Sequence, residues 1–262
     1  MKIIHLSDLH FGTETDDLVN LTLEHIREAK ADFVIISGDF TQIGNKPEFV
    51  AARQFIDDII LPTLCIPGNH DVPQRNLYER FTRPYKKYKA HICDDLMPTY
   101  NNDLVELIGI NSARRALPHW NWANGAVSLQ QRSALESFFK DTPAEKWRIC
   151  TMHHPIHKIA DMPIDVTVLG RKRTLECFHT LKVDLVLTGH VHHAAFDMIG
   201  DEQHKTAFIS ASTALSSRKR GHENGFNIIE IDGQHMHVRM LNFEAQGFVE
   251  TSTHSFRKSS SI

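Results

Sequence analysis

The stretch TLCIPGNHD, Thr63 to Asp71, runs from a short apolar segment into Pro-Gly and then an amide, an imidazole and a carboxylate. Pro67-Gly68 continues neither a strand nor a helix, so the apolar run reads as a strand that stops in a tight turn. The same design recurs along the chain. KIIHL is followed by Asp8 and His10, FVIIS by Gly38-Asp39, WRICT by His153-His154, and DLVLT by Gly189-His190-Val191-His192. Five polar clusters thus lie just past the carboxyl ends of five expected strands.

The segments between these strands have helical spacing. DDLVNLTLEHIREAKA places Leu18, Leu21, Ile26 and Ala29 near one face. PEFVAARQFIDDII opens with Pro47 at a first-turn position, and SLQQRSALESFFKD pairs an N-cap Ser128 with Gln131 three residues on. RKRTLECFHTL is a further helix, and LVELIGI a strand. The opening order β-α-β-α-β predicts a layered α/β architecture with parallel strands. Residues 74–103 are mixed and polar, with helical stretches. From about 194 onward short strands follow: AAFDMI, KTAFIS, FNIIEI and HMHVRMLNF. The chain is expected to be one domain over 1–262, with about 252–262 a flexible tail.

Composition narrows the function. The 262 residues include 41% hydrophobic and 23% charged ones, enough for a substantial core. With 29 basic against 32 acidic side chains, a net charge of -3 gives no general pull toward nucleic acid or an anionic membrane. No run of 18 apolar residues would span a bilayer, and MKIIHLSDLHF lacks the pattern of a signal peptide. Four scattered cysteines without a C-x-x-C pair fit free thiols in a reducing cytosol; Cys65 and Cys150, in apolar runs, read as packed core.

In an open α/β sheet the carboxyl ends of the strands share one rim, where ligands bind. Groups far apart in sequence therefore converge. D-x-H and H-x-H would put alternate side chains on one side of an extended segment. Neutral imidazole suits transition metals and carboxylate or amide oxygen suits harder ones, so this set suits Mn, Fe or Zn. A lone D-x-H is expected roughly once by chance in such a composition, whereas G-N-H-D has about 0.003 chance matches. The weight rests on all five clusters in order, each after a strand.

Taken together, SDLH, SGDFTQ, PGNHD, MHHP and TGHVH resemble the calcineurin-like metallophosphoesterases, nearest to the bacterial cyclic-nucleotide phosphodiesterase-like branch. The resemblance covers residues 1 to about 232, including GINSARR and STALSSRKRG. It implies a four-layer αββα sandwich of two mixed β-sheets flanked by helices, with two divalent or mixed-valence transition metal ions at the carboxyl ends of the strands. By motif position Asp8, His10, Asp39 and His192 hold one metal. Asp39, Asn69, His153 and His190 hold the other, and Asp39 bridges. His153 rather than His154 matches the family ligand.

The catalytic set implied is His70, Asn69 and Asp39, with His70 touching phosphate or protonating the leaving group. The implied activity is hydrolysis of a small phosphodiester such as a cyclic nucleotide, by attack of a metal-bridging hydroxide. A pyrophosphatase on a nucleotide-sugar lipid, a phosphomonoesterase, a nuclease and a metal-bound interaction scaffold are the alternatives. The expected partner is a small phosphoester and the expected location cytoplasmic.

The pattern also departs from relatives. Protein phosphatases of this superfamily carry arginines in the two loops that here read GDFTQIG and GNHDVPQ. Gln42 replaces an acid that orients the histidine equivalent to His70 in some members; Asp71 is available for that role. Arg75 is the first arginine past the second loop, and Arg114 or Arg218 could fold back over the rim. His5, His157 and His193 read as supporting or solvent-facing side chains. Arg218-Lys219-Arg220 and NSARR read as solvated loops or as contacts to an anionic substrate. Trp120 and Trp122 read equally as a substrate wall or a packed loop.

Overall fold

The computed structural model describes residues 1–119, 121–157, 168–217, 222–245 and 247–258. The β-α-β-α-β opening is β1 (Lys2–Leu6), α1 (Asp16–Glu28), β2 (Phe33–Ile36), α2 (Lys46–Ile59) and β3 (Thr63–Cys65). Next come α3 (Leu77–Thr82), α4 (Lys86–His91), β4 (Thr99–Asn101), β5 (Val105–Ile110), β6 (Gly125–Ala126) and α5 (Leu129–Phe139). They are followed by β7 (Trp147–Met152), β8 (Val168–Leu169), α6 (Arg171–Thr180) and β9 (Leu185–Thr188). Strands β10 (Ala195–Gly200), β11 (Lys205–Ser210), β12 (Gly225–Asp232), β13 (His235–Glu244) and β14 (Gly247–Arg257) complete the order.

These strands form two mixed six-stranded sheets, ordered β14-β13-β12-β1-β2-β3 and β10-β11-β9-β7-β5-β4, with β6 and β8 as a separate pair. Neighbours β1, β2 and β3 run parallel, as do β5, β7, β9 and β11. The apolar runs show no hydrophobic-polar alternation because both faces of each sheet are covered. Side chains alternate between two cores instead. Ile3, Ile35 and Leu64 face the second sheet, where Leu107, Ile149 and Leu187 meet them. Ile4, Val34 and Ile36 face the opposite way, onto Leu23 and Ile26 of α1 and Phe55 and Ile56 of α2. Helices α5 and α6 supply Leu135, Phe139 and Phe178 to the outer side of the second sheet. Helix, sheet, sheet and helix are the four layers expected. Cys65 and Cys150 are buried within it.

Local capping fixes where two of the helices begin. Asn45 Oδ1 accepts from Glu48 N at 3.0 Å, and Glu48 Oε2 accepts from Asn45 N at 3.4 Å. Ser128 Oγ accepts from Gln131 N at 3.2 Å, and Gln131 Oε1 accepts from Ser128 N at 2.9 Å, the reciprocal pairing read from the sequence. Among the described residues no helix is long and apolar enough to cross a membrane.

The end of the chain corrects an expectation. Residues from about 252 were assigned to a flexible tail, yet β14 extends to Arg257 and pairs along β13 from Glu244↔Gly247 to His235↔Arg257. Phe248 and Phe256 pack on the two cores from its ends. The Glu, Thr and Ser residues between them hide that pairing from a hydrophobicity pattern. Residues 259–262 lie outside the described part.

Between the sheets, just under the rim, lies a polar layer. His5 Nε2 is 2.9 Å from Ser37 Oγ, and Asn227 Nδ2 donates to His5 Nδ1 at 3.1 Å. His5 is fully buried, and burial lowers its pKa from 6.5 to about 3. The unfolded chain takes up a proton near pH 6.5 that the folded chain refuses, so this stability is complete above pH 6.5 and is lost as the pH falls toward 3. Wild-type protein should lose about 2 kcal/mol through His5 between pH 8 and pH 5. Urea unfolding at both pH values, with a chelator present throughout, should show a smaller loss in His5→Gln. An unchanged pH slope in that variant would exclude His5 as the source.

Candidate metal centre

The five clusters meet at one rim, three leaving the first sheet through β1, β2 and β3 and two leaving the second through β7 and β9. Backbone hydrogen bonds carry β1–β2 pairing onward into the loops: Asp8 N to Gly38 O at 3.0 Å and His10 N to Asp39 O at 2.9 Å. The side chains are not presented by an extended pleat, as the D-x-H and H-x-H spacing suggested. Asp8, His10, Asp39, His190 and His192 have φ of 53°, 49°, 54°, 72° and 57°, the left-handed region. Each such residue costs on the order of 1–3 kcal/mol unless its surroundings enforce it. The sharp turns are what aim these side chains inward.

The atoms converge tightly. His192 Nε2 lies 3.1 Å from Asp8 Oδ1 and 3.1 Å from His10 Nε2. His10 Nε2 is 3.6 Å from Asp8 Oδ1 and 3.8 Å from Asp39 Oδ2, and His153 Nε2 is 3.2 Å from Asp39 Oδ2. Asp8, His10 and His192 form one group whose ligand atoms lie within 4.8 Å of one another. Asp8, Asp39 and His153 form another, and His190 groups with His153 and His154.

Each carboxylate is held through one oxygen, leaving the other for the centre. Asp8 Oδ2 accepts from Ser7 Oγ at 2.6 Å and from His190 N at 2.8 Å. Asp39 Oδ1 accepts from His70 N at 2.8 Å. Two glycines make this approach possible. A Cβ on Gly68 would stand 2.1 Å from Asp39 Oδ1, and one on Gly189 would stand 2.4 Å from Asp8 Oδ2.

Electrostatics follow from the same packing. Burial opposes ionisation of Asp8, but His192 and His10 outweigh it and hold the carboxyl well below its usual range. Burial likewise opposes Asp39, which His153, His70 and His10 hold low. His153 is pushed down by burial and up by Asp39, ending at about 9. A spot that favours an added proton so strongly favours a cation for the same reason. His190 is driven well below its usual value by burial, reinforced by His154 and His153.

The histidine doublet divides its work. His153 Nδ1 donates to Ser37 O at 2.8 Å, which leaves Nε2 facing Asp39 with no hydrogen-bond partner. In His154 both nitrogens are engaged: Nδ1 lies 2.8 Å from Ser112 Oγ, and Nε2 lies 2.8 Å from Ala123 O. Burial, with His153 beside it, lowers His154 to about 3. His154 therefore ties the loop around Ala123 to the centre.

His70 stands against His10, ring centroids 4.7 Å apart. Asp71 does not orient it, contrary to the role left open for that residue. Asp71 instead accepts from Thr41 N at 3.0 Å and Gly68 N at 2.8 Å, binding the two loops together. Burial, with Asp39 nearby, raises Asp71 to about 7. His70 is oriented by neutral groups: Nδ1 donates to Gln42 O at 2.6 Å and lies 2.8 Å from Gln74 Nε2. Arg75 is exposed. Arg114 does not fold over the rim; its guanidinium donates to Asn111 O at 2.6 Å, to Ala113 O at 2.7 Å and to Gln131.

His5 and His157 are buried or nearly so, His157 with Nε2 2.8 Å from Asp197 Oδ2, and His193 pairs with His222 through Nδ1 atoms 3.0 Å apart. Trp120 and Arg218–Arg220 lie outside the described residues. Sequence reasoning missed Ser7, Ser112 and Arg80. Ser7 and Ser112 lie inside the SDLH and NSARR stretches, but no signal in those stretches assigns either hydroxyl a partner at the centre. Arg80 sits in a polar stretch, yet it is buried and donates through Nε to Arg115 O at 2.6 Å.

The residues fit a pair of metal ions. Asp8 Oδ1, Asn69 Oδ1 and His153 Nε2 are buried polar atoms without hydrogen-bond partners, each of which costs about 1–3 kcal/mol if left so. A pair of cations would satisfy all three, and the mixed oxygen and imidazole donors suit transition metals.

Comparison with known proteins places the chain among phosphoesterases. A family described as calcineurin-like phosphoesterase matches residues 1–194. A probable cyclic nucleotide phosphodiesterase of Vesicomyosocius okutanii is 26% identical over 205 residues, 74% of this chain and 79% of that protein. The glycerophosphodiester phosphodiesterase GpdQ of Enterobacter lignolyticus is 34% identical over 177 residues, 63% of this chain and 60% of that protein. Among solved structures, a dimetal phosphatase from Danio rerio superposes with a TM-score of 0.67 at 12% identity, covering 99% of both chains. Purple acid phosphatase PPD1 from yellow lupin gives 0.71 at 13% identity, over 98% of this chain and 53% of that one. At such identities the structures share the fold.

The doublet separates by metal analysis. His153→Ala is expected to empty one half of the centre, whereas His154→Ala should weaken metal binding by at most about 10–100-fold. Dialysis against graded manganese followed by elemental analysis distinguishes them, and the reverse order would move the ligand by one residue.

Proposed function

The chain belongs to the calcineurin-like phosphoesterase family and is a hydrolase of phosphoester bonds, and from that premise we propose that it is a manganese-, iron- or zinc-dependent phosphodiesterase acting on a small diester such as a cyclic nucleotide. Asp8, His10, Asp39 and His192 would hold one metal, and Asp39, Asn69, His153 and His190 would hold the other. Bound there, two divalent metals supply a nucleophilic oxygen at neutral pH and the positive charge that receives the phosphoryl oxygens. Asn69 orients a non-bridging oxygen through its amide. Asp39, pinned by the His70 N–H, keeps the two halves of the centre in register. With Nδ1 committed to Gln42 O, His70 works through Nε2, where it gives a proton to the leaving oxygen.

The preference for a diester is carried by one observation: the described arginines nearest His70 are engaged elsewhere, Arg80 by Pro73 O and Arg115 O and Arg114 by Asn111 O, Ala113 O and Gln131. Gln42 and Gln74 contact the His70 ring. A phosphomonoester is nearly a dianion at neutral pH and is met elsewhere by bidentate arginines. A diester, a monoanion, does without them.

With manganese at neutral pH, kcat/KM should be higher for bis-p-nitrophenyl phosphate than for p-nitrophenyl phosphate. A clear monoester preference would replace this reading with a phosphatase. His70→Ala should keep its metals and lose roughly 10²–10⁴-fold in kcat, the usual worth of a general acid. Asp39→Asn should remain folded and release both metals; full metal content in that variant would remove Asp39 as the bridge.

A further inference from the structure

The phosphoester centre opens on one side into a cavity of about 360 Å³. Asn69 and His70 form its floor, and Gln74, Leu77, Arg80 and Trp122 form its walls. Whatever is esterified to a phosphate over His70 has this space beside it.

Trp122 is 37% exposed and Leu77 55%, so two large apolar side chains face open space beside a polar centre. The Trp122 ring is held on two sides. The Arg80 guanidinium carbon sits 5.5 Å from its centroid, within cation–π range, and Phe81 meets it at 88° with centroids 5.6 Å apart. Arg80 is itself fixed. Nε donates to Arg115 O at 2.6 Å and Nη1 to Pro73 O at 3.1 Å. The loop beneath Trp122 is anchored by His154 Nε2 to Ala123 O at 2.8 Å. The indole is thus a surface whose position is set by residues reaching back to the loops after β3 and β7. Such a surface binds a flat partner with little ordering cost.

We propose that Trp122, backed by Arg80, is the specificity-determining residue that takes the organic group of the ester, and that it selects a planar aromatic group such as a nucleobase over a small polyol such as glycerol. This rests on the phosphodiesterase reading and deepens it. Leu77 adds apolar contact. Gln74 supplies an amide at the mouth for ring nitrogens or exocyclic groups. A glycerol substituent has too little apolar area to use the indole.

The probes are adenosine 5′-monophosphate and glycerol 3-phosphate, which carry the same phosphate charge and differ in the organic group. Their binding to manganese-loaded protein is measured by calorimetry, independent of turnover. Base–aromatic stacking is worth enough to give a preference of about 5- to 150-fold for the adenosine compound. Trp122→Ala should reduce that preference to below about threefold by weakening adenosine monophosphate alone, and Trp122→Phe should retain most of it. Equal affinities in the wild type, or a preference that survives Trp122→Ala, would overturn the assignment. Diester hydrolysis by the same preparations is assayed in parallel. Absence of metal-dependent hydrolysis strikes the phosphodiesterase reading, while hydrolysis without a binding preference strikes the Trp122 pocket alone.

Discussion

Two carboxylates, Asp8 and Asp39, are buried together at the meeting of two sheets, and the rest of the rim answers that fact. Taking a carboxylate out of water is costly unless charge and hydrogen bonds compensate it. Here backbone N–H groups and Ser7 hold one oxygen of each, and imidazoles surround the other. The glycines before Asn69 and His190 exist because any side chain there would occupy the carboxylates' space. The left-handed turns at Asp8, His10, Asp39, His190 and His192 are tolerated because the packed sheets on either side leave the loops no other path.

Much of this was legible in the sequence, and the reason differs by level. The strand-then-cluster rhythm was readable because both faces of the central strands are covered, making FVII and LVLT unbroken apolar runs. Capping at Ser128 was readable because its partner Gln131 is three residues away. The carboxyl-end rule then brought the clusters together without knowledge of distance. What stayed hidden depends on long-range partners. Nothing near His153-His154 in sequence says which ring turns inward; Ser37, Ser112 and Ala123, all remote, decide it. Asp71 next to His70 suggested a direct contact, but the turn points its carboxylate at Thr41 and Gly68 instead. β14 is hidden because its core-packed apolar residues, Phe248 and Phe256, stand at its two ends, and the polar stretch between them is ordered by pairing with β13.

The site combines strict and permissive parts. The metal-facing atoms are fixed by hydrogen bonds from backbone and buried hydroxyls, which suits a centre that must hold its geometry through turnover. The cavity wall beyond His70 is built from loop and short-helix residues: Leu77 and Arg80 on α3 and Trp122 in the segment before β6. A fixed rim beside a wall carried on loop and short-helix residues is an arrangement in which the substrate's organic group can be chosen without altering the metal-facing atoms.

The position of β1 has a consequence for the order in which the molecule is made. The first strand lies between β2, a near neighbour in sequence, and β12, whose pairing runs Lys2↔Glu230 to His5↔Asn227. Asp8 likewise waits for His190 and His192. The residues of β1 are made before β12 and cannot be paired on both sides until β12 has followed, and closing so long a loop slows folding more than it weakens the result. Until then the nascent chain presents an unpaired strand edge and half a set of acidic and imidazole groups. Premature metal capture by this half-built chain is limited by the same separation, since the partner histidines are still unmade when Asp8 and His10 appear.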